Sequence, residues 1–264
     1  MLKYVLVIGA AGGMGQATAK LLRDSGFTVF ALDRNLINME SGIVPMKADI
    51  TDMHSLESAL SEIRQHTDRL YAIVHLAGIY ALDSLLEIDE ALFKRVFEVN
   101  VFGVYRVNKV FAPLLEPGGR IVITTSELAA LDPLPFTGLY AVTKSTLDKY
   151  AYSLRMEMQL LDIHISVLRP GAVKTNMLGA STDALETFCS NTTLYPCNAK
   201  RFRQIVERVE SRNVSPERVA VQVNKILRTR KPRYVYHLNR NPLLLLFNIL
   251  PHRIQTWIIG KILK

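Results

Sequence analysis

The chain has 264 residues, 49% of them hydrophobic, and a formal net charge of +8. This length favours one large domain, and the apolar content excludes a disordered protein. No uncharged apolar run reaches the roughly eighteen residues of a membrane-spanning helix. Residues 1–8 lead into a glycine-rich turn and not into a signal-peptide cleavage site, so we expect a cytoplasmic protein.

Strand and helix patterns alternate along the chain. Apolar residues at helical spacing predict four helices, and Ser215-Pro-Glu is typical of a further helix start. This alternation predicts an α/β fold, a Rossmann-type doubly wound parallel sheet of about seven strands with helices on both faces. The predicted strands cover residues 4–8, 28–32, 43–48, 70–76, 120–125, 163–168 and 233–237, and the four helices cover 14–25, 52–64, 90–115 and 139–161.

Composition divides the chain into a single domain, residues 1–238, and an apolar and basic C-terminal extension, residues 239–264. Within the domain, residues 176–214 are polar and weakly periodic, so we expect a loop that covers the substrate. Both cysteines, Cys189 and Cys197, fall in this segment. Their spacing, with no histidine close in sequence, argues for two reduced thiols and against a disulfide or a metal site.

A glycine-rich turn lies where the first strand passes into the first helix. Glycines in such a turn allow a tight bend, the approach of a pyrophosphate to the backbone and the packing of helix on strand. The helix N-terminus then meets the phosphate charge with free N–H groups and the positive end of its dipole. The residues predicted to bind a dinucleotide here are Gly9, Gly12, Gly13, Met14 and Gly15.

Asp33 ends the second strand, where a carboxylate can accept hydrogen bonds from the hydroxyls of an adenosine ribose. Its negative charge would repel a 2′-phosphate, which favours NAD. Arg34 lies beside it and could instead bind that phosphate. We therefore expect NAD, with NADP as the alternative.

Tyr140 and Lys144 are four residues apart and share one face of a predicted helix. A phenol has a pKa of about 10, and a neighbouring ammonium group lowers that pKa because it stabilises the phenolate. Such a pair can act as a general acid/base. The pair alone is a weak signal, but Ser126 follows the fifth strand, whose carboxyl end should lie near the cofactor.

Together these motifs resemble the classical short-chain dehydrogenase/reductase family over about residues 3–178. The resemblance rests on several ordered motifs, which are more specific than any one of them. Besides the glycine turn, Asp33, Ser126, Tyr140 and Lys144, the matching residues are Asp49, Ala77, Gly78, Asn100, Pro170, Gly171 and Thr175.

The resemblance implies a role for each matched residue. Tyr140 would donate and accept the proton, while Ser126 would hold the substrate oxygen. Lys144 would bind the nicotinamide ribose and lower the pKa of Tyr140, and Asn100 would hold a water that links Lys144 to solvent. The other implied contacts to the dinucleotide come from Asp49 and Ile50 at the adenine, Val173 and Thr175 at the carboxamide, and Ala77, Gly78, Pro170 and Gly171 elsewhere.

The sequence departs from the family pattern at three places. Ile8 stands where the family has a threonine, and His75-Leu76 where it has two asparagines. We expect a structural role for His75. Gly12 replaces the basic residue that many NADP-dependent members carry, which again favours NAD.

The resemblance implies an NAD(P)-dependent oxidoreductase that interconverts a secondary alcohol and a ketone, or a primary alcohol and an aldehyde. Apolar residues near the expected substrate favour a lipophilic, steroid- or retinoid-like molecule, as in hydroxysteroid and retinol dehydrogenases. A small alcohol, a polyol or another polar carbonyl compound is the alternative substrate, and a non-catalytic NAD(P)-sensing protein is the alternative function. The expected apolar lining comprises Leu128, Leu131, Pro133, Leu134, Pro135, Phe136, Met177, Leu178, Leu185, Phe188, Leu194 and Tyr195.

Residues 198–264 hold 15 lysines and arginines against three acidic residues. No nucleic-acid-binding module is recognisable, so we expect no nucleic-acid partner. In the extension, Ile254, Trp257, Ile258, Ile262 and Leu263 recur at helical spacing on one side, and Arg253, Gln255, Lys261 and Lys264 occupy the rest of the helix surface. This pattern is typical of a peripheral membrane anchor, but packing on the domain, a lid or a subunit contact is equally compatible. The family resemblance further implies a homodimer or homotetramer built on helices 92–114 and 139–161.

Overall fold

The computed structural model describes residues 2–35, 40–210 and 212–264, except for the side chains of Asn176, Leu178, Ala180 and residues 207–210. The predicted lining residue Leu178 therefore has no described side chain.

Seven strands form one sheet in the order β3-β2-β1-β4-β5-β6-β7, and every neighbouring pair is parallel. Tyr4 pairs with Thr28, and Ile8 with both Leu32 and His75. The predicted doubly wound parallel sheet is therefore confirmed. The strands are β1 Tyr4–Ile8, β2 Thr28–Asp33, β3 Ile43–Lys47, β4 Leu70–His75, β5 Leu115–Thr124, β6 His164–Pro170 and β7 Val235–Leu238.

The strands are apolar because both faces of the sheet are covered. Side chains alternate along a strand, so Leu6 and Ile8 of β1 enter one core cluster while Val5 and Val7 enter another. All four side chains are buried.

Ten α-helices connect and cover the strands in the described part of the chain. Helices α2, α4 and α5 pack on the face of Leu6, and α1 and α8 on the face of Val5. The helices are α1 Gly13–Asp24, α2 Met53–His66, α3 Glu90–Phe97, α4 Gly103–Phe111, α5 Gly138–Met158, α6 Asn176–Asn191, α7 Pro196–Glu210, α8 Pro216–Arg228, α9 Pro242–Ile249 and α10 His252–Leu263.

The predicted helix over 90–115 is interrupted. A π-helical segment, Glu98–Phe102, separates α3 from α4, and a short 3₁₀ turn follows α4. Single π-helical turns of this kind are frequent at functional sites.

The prediction of a loop over 176–214 is wrong, because α6 and α7 occupy most of this segment. Cys189 and Cys197 accordingly lie on helices. In α7 the apolar residues Ala199, Phe202, Ile205 and Val206 do have helical spacing, but charged residues between them obscured it. Phe202 packs with Leu185 and Phe188 of α6 in a third core cluster.

The C-terminal extension forms α9 and α10 and packs on this third cluster through Leu263, which is buried. The carbonyl oxygen of Leu263 accepts a hydrogen bond of 2.7 Å from Asn198 Nδ2. The sequence pattern predicts that Gln255 is exposed, and this prediction is wrong. Its amide is buried because it donates to the Leu250 carbonyl (2.8 Å) and to Asp132 (3.1 Å). No helix in the described ranges is both long and apolar enough to cross a membrane.

Candidate active site

Two adjoining clefts open at the carboxyl ends of the strands, where ligands bind in doubly wound sheets. The first cleft lies above β1, β2 and β4, and the second lies above β5 and β6. They share Met14, Thr175 and Met177. The predicted residues that line the first cleft are Gly9, Gly12, Gly13, Met14, Gly15, Asp33, Arg34, Asp49, Ile50, Ala77, Gly78 and Thr175.

The glycine turn has the geometry that a pyrophosphate requires. Gly9 has a positive φ of 81°, and a Cβ there would lie 2.5 Å from the backbone nitrogen of Ala77. A Cβ at Gly15 would collide with the carbonyl oxygen of Gly9. Gly12 caps α1 without a side-chain hydrogen bond, and the first turn of α1 has no acidic residue. The positive end of this helix therefore faces the cleft with no competing anion from the cap or first turn, which fits a dinucleotide phosphate.

Asp33 is fixed at the rim of the first cleft by backbone groups. Its Oδ2 accepts from the N–H of Ala11 and its Oδ1 from the N–H of Asn35, each at 3.0 Å. Arg34 lines the same cleft. The two residues with opposite predicted effects on the choice between NAD and NADP therefore line one cleft.

Asp49 lies farther along the same cleft. Its Oδ1 accepts from the backbone N–H (2.8 Å) and the hydroxyl (2.7 Å) of Thr51. Burial would raise the pKa of Asp49, but these hydrogen bonds and the charges of Arg95 and Arg34 together lower it. Arg95 also lines the cleft and was not among the predicted residues.

Tyr140 and Lys144 lie on one face of α5 and are both buried. Lys144 Nζ lies 5.6 Å from the centre of the Tyr140 ring and 3.4 Å from the carbonyl oxygen of Thr124. Ser126 follows β5, accepts from the N–H of Leu128 (3.2 Å), and lines the second cleft together with Tyr140. The structure thus brings three of the four predicted catalytic side chains together, and Asn100 is the fourth.

The effect of Lys144 on the pKa of Tyr140 stays a prediction, and burial acts in the opposite direction. Burial raises the pKa of Tyr140 to about 12, against an opposing hydrogen bond with Ser126. Burial also lowers the pKa of Lys144 to about 8. Both charged forms are disfavoured because both groups are buried.

Asn100 belongs to the π-helical segment and is fully buried. Its amide exchanges two hydrogen bonds of 2.9 Å with the backbone of Ile79 and donates a third, of 3.2 Å, to the Thr143 hydroxyl. A Cβ at Gly78 would lie 3.3 Å from both Asn100 Oδ1 and Lys144 Nζ, so these groups meet beside that glycine. The side chain of Asn100 therefore fixes the segment after β4 against α5. Its link from Lys144 to solvent stays a prediction.

The segment after β6 joins the two clefts. Pro170, Gly171 and Val173 line the second cleft, and Thr175 lines both. A Cβ at Gly13 would lie 3.3 Å from Thr175 Cγ2, so this threonine approaches the start of α1.

His75 lies at the end of β4 and is buried, and it is not among the residues that line either cleft. Its Nε2 is 2.9 Å from Asn108 Oδ1, and Asn108 Nδ2 donates to the Tyr150 hydroxyl at 3.1 Å. Burial, against the opposing hydrogen bond with Asn108, lowers the pKa of His75 to about 4. These contacts agree with the structural role expected for this residue.

The predicted apolar lining is correct only in part. Leu128, Leu134 and Met177 line the second cleft. In contrast, Phe136, Leu185, Phe188 and Tyr195 pack with Phe202 of α7 in the third core cluster, and Leu194 is exposed. Leu131, Pro133 and Pro135 are not among the lining residues.

Several lining residues of the second cleft were not predicted. The Tyr80 ring lies 4.8 Å from that of Tyr140, and Glu127 directly follows Ser126. The adjacency of Glu127 to Ser126 was a usable signal, whereas no pattern in the sequence indicates which side of α7 or α9 faces the cleft. The other unpredicted residues are Thr124, Thr125, Thr137, Ala172, Ser181, Phe202, Ile205, Val206 and Leu244.

A parallel sheet in this order, a glycine turn at α1 and a buried Ser-Tyr-Lys group together define a nicotinamide-dependent oxidoreductase of the Rossmann type. The family model described as short chain dehydrogenase matches residues 3–186. The chain belongs to the short-chain dehydrogenase/reductase family, whose members are NAD(P)-dependent oxidoreductases, and the resemblance inferred from the motifs is confirmed.

Relatives with assigned names share the family. The NADPH-dependent 1-acyldihydroxyacetone phosphate reductase of Schizosaccharomyces pombe is 27% identical over 83% of this chain and 75% of its own length. Estradiol 17-beta-dehydrogenase 2 of Mus musculus is 31% identical over 67% of this chain, which spans only 50% of that relative. The uncharacterized oxidoreductase YbbO of Escherichia coli is 28% identical over 98% of this chain and 94% of its own.

Solved structures have the same fold. A short-chain dehydrogenase from Streptomyces avermitilis aligns with a TM-score of 0.78 over 99% of this chain and 97% of its own, at 20% identity. A 3-ketoacyl-(acyl-carrier-protein) reductase from Brucella melitensis, complexed with NADH, has a TM-score of 0.72 over 89% of this chain and 95% of its own, at 19% identity. At these identities the likeness concerns the fold alone.

Proposed function

We propose that this protein interconverts an alcohol and its carbonyl compound, a secondary alcohol and ketone or a primary alcohol and aldehyde, with Tyr140 as general acid/base. One observation carries the proposal. Tyr140 and Ser126 both line the second cleft, which adjoins the first cleft through Met14 and Thr175. A substrate oxygen that lies between these two hydroxyls would lie beside a nicotinamide bound across both clefts.

Each side chain would have one task. In the reducing direction the Tyr140 hydroxyl would donate its proton to the substrate oxygen, while the Ser126 hydroxyl would hold that oxygen by a hydrogen bond. Lys144, whose ammonium lies behind the Tyr140 ring, would stabilise the resulting phenolate. A bound nicotinamide supplies or accepts the hydride.

The first cleft supports a preference for NAD. Asp33 is held with both oxygens at the rim, where its charge would oppose a 2′-phosphate. Arg34 is the side chain that would favour NADP instead.

The second cleft supports a lipophilic substrate. Apolar side chains line most of it, and its polar groups gather near Tyr140 and at Glu127. Two relatives are named for estradiol and for 1-acyldihydroxyacetone phosphate, which agrees with this substrate class. The lining residues that carry the argument are Leu128, Leu134, Val173, Met177, Phe202, Ile205, Val206 and Leu244.

Turnover of a substrate panel tests this function. Purified protein would be given NAD or NADP with steroid alcohols, retinol, long-chain alcohols and polyols, and formation of reduced nicotinamide would be followed by absorbance. We expect turnover of at least one lipophilic alcohol. Turnover of polyols alone would contradict the substrate class, and tight NAD binding with no turnover across a broad panel in both directions would favour a sensing protein.

A homodimer or homotetramer is also part of the proposal. The faces of α4 and α5 that are turned away from the sheet carry exposed apolar side chains, including Tyr105, Tyr152 and Met156. Light scattering during size-exclusion chromatography would give the mass, and a monomer at micromolar concentration would contradict this part.

A further inference from the structure

The C-terminal extension, residues 239–264, is fixed to the domain by its inner side. Leu263 is buried in the third core cluster, and Gln255 bonds to Asp132. At the other end, the Asn241 backbone N–H donates to Glu127 Oε2 at 2.8 Å. The side chains that α9 and α10 turn to solvent are therefore held in place by packing and hydrogen bonds.

That outer side is strongly apolar. Trp257, the only tryptophan of the chain, is 63% exposed, and Ile249 is 78% exposed. Large side chains of this kind are rarely presented to water together unless they bind something. The exposed apolar residues of the extension are Leu243, Leu246, Ile249, Ile254, Trp257 and Ile262.

Basic residues surround the tryptophan. Arg253, Lys261 and Lys264 line one shallow surface groove together with Trp257. Their spacing of four, four and three residues from Arg253 through Trp257 to Lys264 places them along one face of α10. The sequence of residues 239–264 contains no aspartate or glutamate, so this positive charge has no acid within the extension to balance it.

We propose that the outer side of α9 and α10 docks on an anionic lipid bilayer. A tryptophan beside lysine and arginine matches a bilayer interface, because the ring enters the headgroup region while the cations pair with lipid phosphates and carboxylates. A second copy of the chain fits less well, since the extension has no acidic residue with which these basic residues could pair across a two-fold contact.

The surface adjoins the second cleft. Leu244 of α9 lines that cleft, while its neighbour Leu243 is 69% exposed. Docking would thus place the second cleft beside the lipid, from which a lipophilic alcohol could enter it. This last consequence rests on the proposed function, whereas the docking itself does not.

Fluorescence of the single tryptophan tests the docking directly. Full-length protein would be mixed with vesicles of phosphatidylcholine and phosphatidylserine at low salt. We expect a blue shift of the emission, quenching by brominated lipids, and weaker binding at high salt because exposed charges are screened. An unchanged spectrum together with no co-sedimentation would overturn the proposal, whatever the enzymatic activity of the preparation.

Charge-reversal variants provide the matched control. R253E/K261E should weaken vesicle binding by at least about tenfold, because each basic residue near such a surface contributes about 1 kcal/mol. K225E/K231E changes the net charge equally at exposed sites outside the extension and should bind far more like wild type. Equal losses in both pairs would mean unspecific attraction and overturn the site. A change in oligomeric mass with R253E/K261E, at unchanged vesicle binding, would assign the surface to a second copy instead.

Discussion

Glu127 Oε2 accepts a hydrogen bond of 2.8 Å from the backbone N–H of Asn241. This contact joins the residue after Ser126 to the residue that caps α9, since Asn241 Oδ1 accepts from the N–H groups of Leu243 (2.9 Å) and Leu244 (3.4 Å). Burial raises the pKa of Glu127, against the opposing hydrogen bond from Asn241 and the charge of Arg240. The segment that carries Ser126 and the C-terminal extension are thus joined through one carboxylate in the second cleft.

Replacing Glu127 by alanine should loosen α9 and so displace Leu244 from the wall of the cleft. We expect faster hydrogen exchange in residues 241–249, a several-fold higher KM for a lipophilic substrate and an unchanged dissociation constant for NAD. Glu127→Gln keeps an acceptor for the Asn241 N–H and should behave closer to wild type. Unchanged exchange of α9 in Glu127→Ala would show that the contact does not hold the helix.

Gly15→Ala should destabilise the protein because the new methyl group would overlap the carbonyl oxygen of Gly9. Overpacking of this kind costs about 1–3 kcal/mol, and the shifted turn should also weaken NAD binding. Gly179→Ala is the matched control, since no described atom outside its own stretch of helix lies within 4 Å of the added methyl group and its change in stability should stay within about 1 kcal/mol. Thermal unfolding of both variants measures the difference, and equal melting temperatures would contradict the tight turn.

Asp33→Asn should reduce the preference for NAD over NADP by about tenfold, the equivalent of about 1.4 kcal/mol. The change removes the negative charge but keeps one acceptor for the backbone N–H groups of Ala11 and Asn35. Calorimetric titration with each dinucleotide gives the ratio. In the Asp33→Asn background, Arg34→Ala should then weaken NADP more than NAD. Wild-type protein that binds NADP more tightly than NAD would mean that Arg34 decides the preference.

His75 should make the protein sensitive to mild acid. Its folded pKa is about 4, below the unfolded value of about 6.5, so between these values the unfolded chain binds a proton that the folded protein excludes. The free energy of unfolding should therefore fall as the pH drops from about 6.5 towards 4. His75→Gln, which cannot titrate, should flatten this part of the curve. Parallel curves for wild type and His75→Gln would refute the effect.

The sequence predicted most of the fold because apolar strands and glycine turns are local signals. The first strand matches β1 at both ends. The sequence predicts that the fifth strand starts at residue 120, but β5 begins at Leu115. Pro117 and Gly118 break the apolar pattern, and Gly118 has a φ of 79°, yet the pairing of β5 with β4 already starts at Leu115.

Features that depend on tertiary packing were harder to predict. Whether Phe136 or Phe202 faces the cleft depends on how α6 and α7 pack on the domain, and neither residue carries that information locally. Gln255 can be buried because Asp132, which is distant in sequence, accepts a hydrogen bond from its amide. The helical pattern around Gln255 gives no sign of this partner. Likewise, the direction in which the pKa of Tyr140 moves depends on its burial, which its spacing from Lys144 does not reveal.

The central claim is that Tyr140 transfers the proton, and its hydroxyl is the atom to remove. Tyr140→Phe keeps the ring against Tyr80 and should bind NAD as wild type does, while kcat for the best alcohol of the panel falls by about a hundredfold or more. Tyr152→Phe, an exposed tyrosine on the same helix, should retain the wild-type rate. The decisive measurement is the ratio of kcat between wild type and Tyr140→Phe at saturating NAD. A hundredfold ratio with unchanged NAD affinity is the predicted result, and a ratio near one would contradict the account.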